Sequence, residues 1–372
     1  MPHPRARPDS PGADAADTAF QDRLLERVSR TFALTIPQLP ERLRRVVGNA
    51  YLLCRVADTI EDDPLLPPAA KRRLLERFAA RVEGGADSML GDDLDASLAA
   101  ATPAAERELC REVTRVVDVT AGFAPAERVA LARCVRVMAG GMAWFQEQPP
   151  ERRVRDAADL DRYCYVVAGV VGEMLTELFC LHDPRLAAQR EALVPLALSF
   201  GQGLQMTNVL KDVWEDYRRG ACWLPHEVFR ARGVDLARLA PGRDDAAFAA
   251  GLRHLVAAAR GHLERALEYT LRIPPDQAGL RRFCLWALFM AVLTLAKLSR
   301  RPDYAAGADV KISRRTVRGV VLATSAAARW DWALRRLFAA AAAGLPPALA
   351  PDAGWSPAAP PRPAQDHPIA RV

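Results

Sequence analysis

The chain has little that would make strands: alternating apolar and polar runs bounded by turn dipeptides are scarce. No Gly-x-Gly-x-x-Gly follows a strand, which excludes a Rossmann dinucleotide domain. None of the seven cysteines forms a Cys-x-x-Cys pair, and their number is odd. Cys54, Cys164, Cys180 and Cys284 lie in apolar stretches and read as small buried hydrophobes of a reducing compartment, which argues against a disulfide framework or a zinc site. Lysine is nearly absent (Lys71, Lys211, Lys297 and Lys311), so the net charge of +6 reflects arginine. The arginines are scattered and locally balanced by acids, without the aromatic-interleaved stripe that a nucleic-acid binder needs. No apolar core segment opens the chain, so no signal peptide is expected. The longest apolar run, 283–296, is too short to span a bilayer unaided and reads as a buried helix. These absences predict a cytoplasmic protein with no transmembrane anchor.

What the chain does have is helical periodicity. Its 372 residues suffice for a sizeable core, and apolar spacing predicts helices over 22–34, 41–62, 69–82, 106–120, 125–146, 159–181, 190–217, 245–271, 279–298 and 316–343. No composition shift separates two halves. The expectation is one all-α domain over 19–343, with helices around a central space, between disordered tails at 1–18 and 344–372. Gly140, Gly141, Gly169, Gly172, Gly201 and Gly203 fall inside helical patterns and predict close helix packing. At Gly169 and Gly172, which share a segment with Tyr163 and Glu173, room for a ligand is the favoured reading.

Two acidic triplets carry the chemistry. Asp58-Thr59-Ile60-Glu61-Asp62 and Asp212-Val213-Trp214-Glu215-Asp216 place carboxylates at i, i+3 and i+4, one face of a helix. Asp63-Pro64 ends the first helix, and Arg218-Arg219-Gly220 ends the second. Each cluster is thus expected near a helix C-terminus, where the macrodipole favours cations. A divalent cation would relieve both the mutual repulsion and the dipole mismatch. Oxygen ligands with no Cys or His suit Mg²⁺ held jointly with substrate phosphates. Apolar sequence leads into each triplet, as it would at the mouth of a hydrophobic cavity.

Several motifs, in order and spacing, resemble the squalene/phytoene synthase family. They are Ser29-Arg30-Thr31-Phe32, the stretch 52–63 with Arg55, Tyr163-Cys164-Tyr165-Val166-Val167-Ala168-Gly169-Val170-Val171-Gly172, and Leu204-Gln205-Met206-Thr207-Asn208-Val209-Leu210-Lys211-Asp212 through Glu215-Asp216. The resemblance runs from about residue 20 to 320. Within that family, Phe283-Cys284, Met290-Ala291 and Val310-Lys311-Ile312 look more like squalene synthases than phytoene synthases.

The resemblance implies an all-α isoprenoid synthase helical bundle around a central apolar cavity, with the two acidic motifs facing each other across it. It implies Mg²⁺ bound by Asp58, Glu61, Asp62, Asp212, Glu215 and Asp216, bridging to two molecules of farnesyl diphosphate. Arg30 and Arg55 match diphosphate-contacting positions, and Gln205, Asn208 and Lys211 would bind diphosphate or the metal's waters. Tyr163 matches a tyrosine placed near the first carbocation, and Phe283 an aromatic that stabilises later cations. Lys311 and Arg314 lie in a region linked to NADPH.

The activity implied is head-to-head condensation of two farnesyl diphosphates through presqualene diphosphate to squalene, with NADPH as reductant. Two departures weaken parts of this. Lys211 stands where squalene synthases commonly have Arg, keeping charge but losing fork geometry, and Ser313 stands where many carry a second base. Alternatives are a synthase that stops at presqualene diphosphate, one that makes phytoene or dehydrosqualene without reduction, and an inactive helical scaffold. A C30 hydrocarbon product must leave to an apolar phase, which predicts peripheral membrane contact.

Overall fold

A computed structural model describes residues 11–29, 31–242 and 245–350, with side chains from residue 16 onward. No strand occurs among these residues. The chain divides into two compact units, Met1–Gly140 and Gly141–Val372.

In the first unit, α1 (Pro11–Val28), α2 (Glu41–Asp62), α3 (Pro68–Val82), α4 (Leu90–Ser97), α5 (Ala104–Arg111) and α6 (Val113–Ala121) precede the start of α7 (Pro125–Glu147). α1 begins at Pro11, so 11–18 are helical where a tail was expected; proline suits a first helical turn because its missing N–H has no intrahelical partner there anyway. Residues 1–10 lie outside the described part. α2 packs on α1, α3, α5 and α6. Its Leu52, Leu53, Val56, Ala57 and Ile60 are fully buried, and each large aliphatic side chain there contributes about 1.5–3 kcal/mol. A polar network fixes the register. Buried Asn49 donates to Val116 O (3.2 Å) and Thr120 Oγ1 (2.6 Å) and accepts from Gln21 Nε2 (3.0 Å), so α1, α2 and α6 share one satisfied amide. α2 stops where Asp63 turns extended (φ −62°, ψ 123°). The Asp63 carboxylate then accepts from the N–H groups of Leu65, Leu66 and Ala99 and from Thr102 Oγ1.

The second unit holds the end of α7, then α8 (Ala157–Cys164), a π-helical turn (Tyr165–Gly169), α9 (Val170–His182), α10 (Arg190–Lys211) and α11 (Val213–Arg218). α12 (Ala246–Arg272), α13 (Ala278–Arg300), α14 (Arg314–Ala327) and α15 (Asp331–Ala342) follow. α10 is the hub, packing on α8, α9, α12, α13 and the π-helical turn. Glycine permits that closeness. A Cβ at Gly172 would lie 2.2 Å from Ala197 O, and one at Gly201 2.1 Å from Ala168 O. Gly169 likewise abuts Tyr165 and Leu198. This corrects the ligand reading of Gly169 and Gly172: the Tyr165 ring fills the space at the first and Ala197 backbone at the second. The most apolar windows of 157–182 and 278–300 have length and hydropathy enough to cross a membrane, but 61% and 72% of them are buried as core helices.

Four expected helices are broken. The 22–34 pattern is interrupted because α1 ends at Val28 and a separate four-residue helix begins at Phe32. The 106–120 pattern splits at Glu112. The 316–343 pattern splits between α14 and α15, where the Ala328 carbonyl accepts from fully buried Arg281 (3.0 Å). The 190–217 pattern splits at Asp212 (φ −99°, ψ 14°), and the Leu210 carbonyl accepts from the Tyr304 hydroxyl. The expected tail also starts late: Leu349 N–H donates to Ala257 O (3.0 Å), and Arg260 Nη1 donates to Pro346 O (3.0 Å). Residues 351–372 lie outside the described part.

Candidate active site

The first triplet occupies the last turn of α2, as its spacing predicts. Asp58 is half-buried, Glu61 buried and Asp62 exposed. Burial, with the nearby Asp62 and Glu106 carboxylates, pushes Asp58 up to about 7 against the opposing pull of Arg55. Arg55 stands 3.7 Å from Asp58 and donates from Nη2 to Glu106 (2.6 Å). Its buried Nε–H has no hydrogen-bond acceptor among the described residues. One donor of a guanidinium beside a carboxylate cluster is therefore left over. Arg30, expected to help bind diphosphate, lies outside the described residues.

The second triplet differs from expectation. The break at Asp212 leaves that residue at the end of α10, whereas Glu215 and Asp216 lie in the first turn of α11. There the dipole favours carboxylates, so the expected C-terminal mismatch holds for Asp212 alone. Burial raises the Asp212 carboxyl, against the pull of Lys211. Lys211 Nζ lies 3.0 Å from the Asp212 carboxylate and donates to Asn208 Oδ1 (3.2 Å). Gln205 is half-buried one turn earlier on α10. Asp216 pairs with Arg219.

A strap that sequence reading missed crosses this motif. Gly307 N–H donates to both Glu215 oxygens (2.9 and 3.1 Å), and Arg218 Nη2 donates to Ala305 O (3.0 Å). A Cβ at Gly307 would sit 2.9 Å from Asp212 Oδ1 and 3.0 Å from Lys211 O, so only glycine fits there without a shift. Four residues on, the Lys311 carbonyl accepts from Lys297 Nζ (2.7 Å). The side chains of Lys311 and Arg314 are exposed. Ser313 caps α14, its Oγ accepting from Thr316 N–H (3.0 Å).

Tyr163 is buried in an aromatic stack. Trp223 lies parallel to it (3.8 Å between centroids, 9°), Phe145 meets it edge-on (5.4 Å), and the Arg153 guanidinium covers Trp223 at 5.2 Å. Trp223 carries no local sequence signal, because it is 60 residues away in the chain. A small cleft opens beside it, with room for about one water molecule, lined by Asp216, Tyr217, Cys222, Trp223 and Leu239 among others. Phe283 belongs to a separate pair, edge-on to Phe179 at 6.1 Å. Glu173, linked to Tyr163 by sequence proximity, instead accepts from Tyr165 Oη (3.2 Å).

Among the described residues, no three His, Cys, Asp or Glu side chains converge as a ligand set; several of the acids engage neighbouring cations instead. The donors nevertheless suit a hard cation. They are all oxygen, Asp58 is raised by burial and neighbouring anions, and Arg55 retains an unused donor for an accompanying anion.

A squalene synthase from Eremothecium gossypii is 30% identical over 290 residues, covering 77% of this chain and 63% of that protein. The chain therefore spans less than two thirds of that relative's length. A solved ligand complex of TcSQS is 25% identical, with a TM-score of 0.69, covering 88% of this chain and 98% of that one. A solved dehydrosqualene synthase is 22% identical with a TM-score of 0.61, covering 84% of this chain and 96% of that one, and shares the all-α isoprenoid synthase fold. The family model described as squalene/phytoene synthase matches residues 25–316. With that match extending over most of its length, the chain belongs to the squalene/phytoene synthase family.

Proposed function

We propose that the chain condenses two farnesyl diphosphates head to head, with Mg²⁺, to presqualene diphosphate and reduces that product to squalene with NADPH. The observation carrying this reading is the cation set beside each carboxylate triplet: Arg55 with its unspent Nε–H next to Asp58, and Lys211 next to Asp212. Arg55 would take diphosphate oxygens, and Lys211, with Asn208 and Gln205 on α10, would do the same at the second motif. Asp58, Glu61, Asp62, Asp212, Glu215 and Asp216 would hold Mg²⁺, which when bound supplies the positive charge that stabilises departing diphosphate. The Tyr163 hydroxyl would shuttle the proton lost when the cyclopropane closes, passing its own phenolic proton on to the released diphosphate, its ring held in place by Trp223 and Phe145. The ring of Phe283, on the apolar α13, would stabilise positive charge in the second half-reaction. Exclusion of water by the surrounding apolar helices would keep the cation from being quenched to an alcohol.

Lys311 and Arg314 would hold the NADPH phosphates, with Lys297 beside them, and NADPH when bound supplies hydride. A second reading ends the reaction without reduction. It is favoured by Ser313, whose hydroxyl is committed to capping α14 where many squalene synthases carry a base. Product analysis by gas chromatography–mass spectrometry separates the two, using farnesyl diphosphate and Mg²⁺, with and without NADPH, and a phosphatase-treated sample. Squalene only with NADPH supports the full reaction. Presqualene alcohol or dehydrosqualene despite NADPH supports the second reading. No product from farnesyl or geranylgeranyl diphosphate overturns both.

A further inference from the structure

The basic excess of this protein is concentrated in one segment. Residues 311–343 contain seven of the 51 Lys and Arg and one of the 45 acids, so the rest of the chain holds 44 of each and is formally neutral. The expectation of evenly scattered, locally balanced arginines fails here. This segment forms α14, the corner at Ala328–Trp330, and α15. Both helices pack on α13.

On α14, Val320, Thr324 and Ala327 are buried, while Arg315, Arg318, Leu322 and Ala326 are exposed on the opposite side. At the corner Arg329, Trp330 and Trp332 are exposed as well. Leu322 is 72% exposed, Trp330 55% and Trp332 65%, unusual for side chains of this size. Arg314, Arg315, Arg318 and Arg329 have no ion-pair partner among the described residues, whereas Arg335 pairs with Glu268. Arg336 lies over the Trp332 ring at 6.0 Å.

The single acid of the segment, Asp331, is half-exposed at this corner but is held in an ion pair with Arg281. Asp331 accepts from fully buried Arg281 (2.7 Å), which also donates to the carbonyls of Leu271, Ile273 and Ala328. One buried guanidinium therefore fixes the corner and neutralises its only carboxylate. Beside this paired carboxylate the outer face carries arginine, leucine and tryptophan.

We propose that the outer face of α14 and the α14–α15 corner form a docking surface for an anionic lipid bilayer. Arginine supplies attraction to negatively charged headgroups, and tryptophan is suited to the interfacial depth where a ring can be half in hydrocarbon and half in water. Exposed indole and leucine beside unpaired arginines fit that boundary better than a purely polar polyanion. The surface stands on charge and exposure and does not depend on the catalytic reading.

The test is co-sedimentation of the full chain with phosphatidylcholine vesicles, with and without about 30% phosphatidylserine, at low and high salt. Binding should require phosphatidylserine and weaken as salt screens it. A charge near the surface is worth about fivefold in affinity, so Arg315→Ala/Arg318→Ala/Arg329→Ala together should lose roughly a hundredfold. Trp330→Ala/Trp332→Ala should weaken binding and reduce tryptophan quenching by acyl-brominated lipid. Circular dichroism melts check that each variant is folded, and the lipid and salt dependence of the unaltered chain needs no variant. The proposal is overturned by undiminished binding of the folded triple-arginine variant or by binding indifferent to phosphatidylserine. It is equally overturned if the chain ignores vesicles and instead self-associates through this corner or binds RNA at the same salt.

Discussion

Replacing Asp58 by Asn should stabilise the metal-free protein at neutral pH, although it removes a partner of Arg55. The Asp58 carboxyl sits at about 7 in the folded chain, against 3.8 for an unperturbed aspartate. A pKa unit corresponds to about 1.4 kcal/mol, so ionised Asp58 could cost the fold up to about 4 kcal/mol. Its side chain is 32% exposed and 3.7 Å from Arg55, and solvent screening reduces the realistic figure to roughly 1–2 kcal/mol. The sign follows from proton linkage. A raised carboxyl keeps its proton in the folded state after the unfolded chain has lost its own. The penalty is therefore absent below about 3.8, grows as pH rises toward 7, and is complete above it. Arg55 keeps Glu106 at 2.6 Å in the variant, so it is not orphaned.

Thermal melts in EDTA provide the assay. At pH 8 the Asn variant should melt about 2–8 °C above the parent, taking roughly 2–4 °C per kcal/mol for a large domain, and the gap should narrow at pH 5. Adding Mg²⁺ with pyrophosphate should reverse the order, because only the parent retains the Asp58 ligand. A variant no more stable than the parent at pH 8, or a gap that widens on acidification, would refute the argument that Asp58 carries uncompensated charge.

Three further outcomes are expected. Gly172→Ala places a Cβ 2.2 Å from Ala197 O, and overpacking against backbone should cost about 1–3 kcal/mol or more, read as a lower urea midpoint; an unchanged midpoint would mean that α9 and α10 can part freely. Trp223→Leu removes the ring stacked 3.8 Å from Tyr163; turnover of farnesyl diphosphate should fall at least tenfold while Mg²⁺–pyrophosphate binding, measured by calorimetry, stays near its parent value. Arg55→Lys keeps charge but loses the fork, and a charge-assisted hydrogen bond worth about 1.5–3 kcal/mol predicts a ten- to hundredfold loss in pyrophosphate affinity. Equal affinity would remove Arg55 from the anion site.

Much of the helical architecture is legible along the chain because amphipathic spacing is a local property. The limits of α2, Glu41–Asp62, coincide with the pattern, since Pro40 precedes it and Asp63-Pro64 cannot continue it. The all-α class, the family and the two triplets follow from residues close in sequence. The tertiary structure decided where long periodic runs break. α10 parts from α11 because Tyr304 takes the Leu210 carbonyl, and α14 parts from α15 because Arg281 takes that of Ala328. Each cause comes from a distant part of the chain, so no window around the break contains it. The same holds for Trp223 against Tyr163, for Gly307 against Glu215, and for the backbone that fills the space beside Gly172. Sequence determined which groups are available and their local spacing. Packing decided which carbonyls are diverted, which carboxylate carries a burial penalty and which arginines are left facing water, because each is set by groups distant in the chain and adjacent in space.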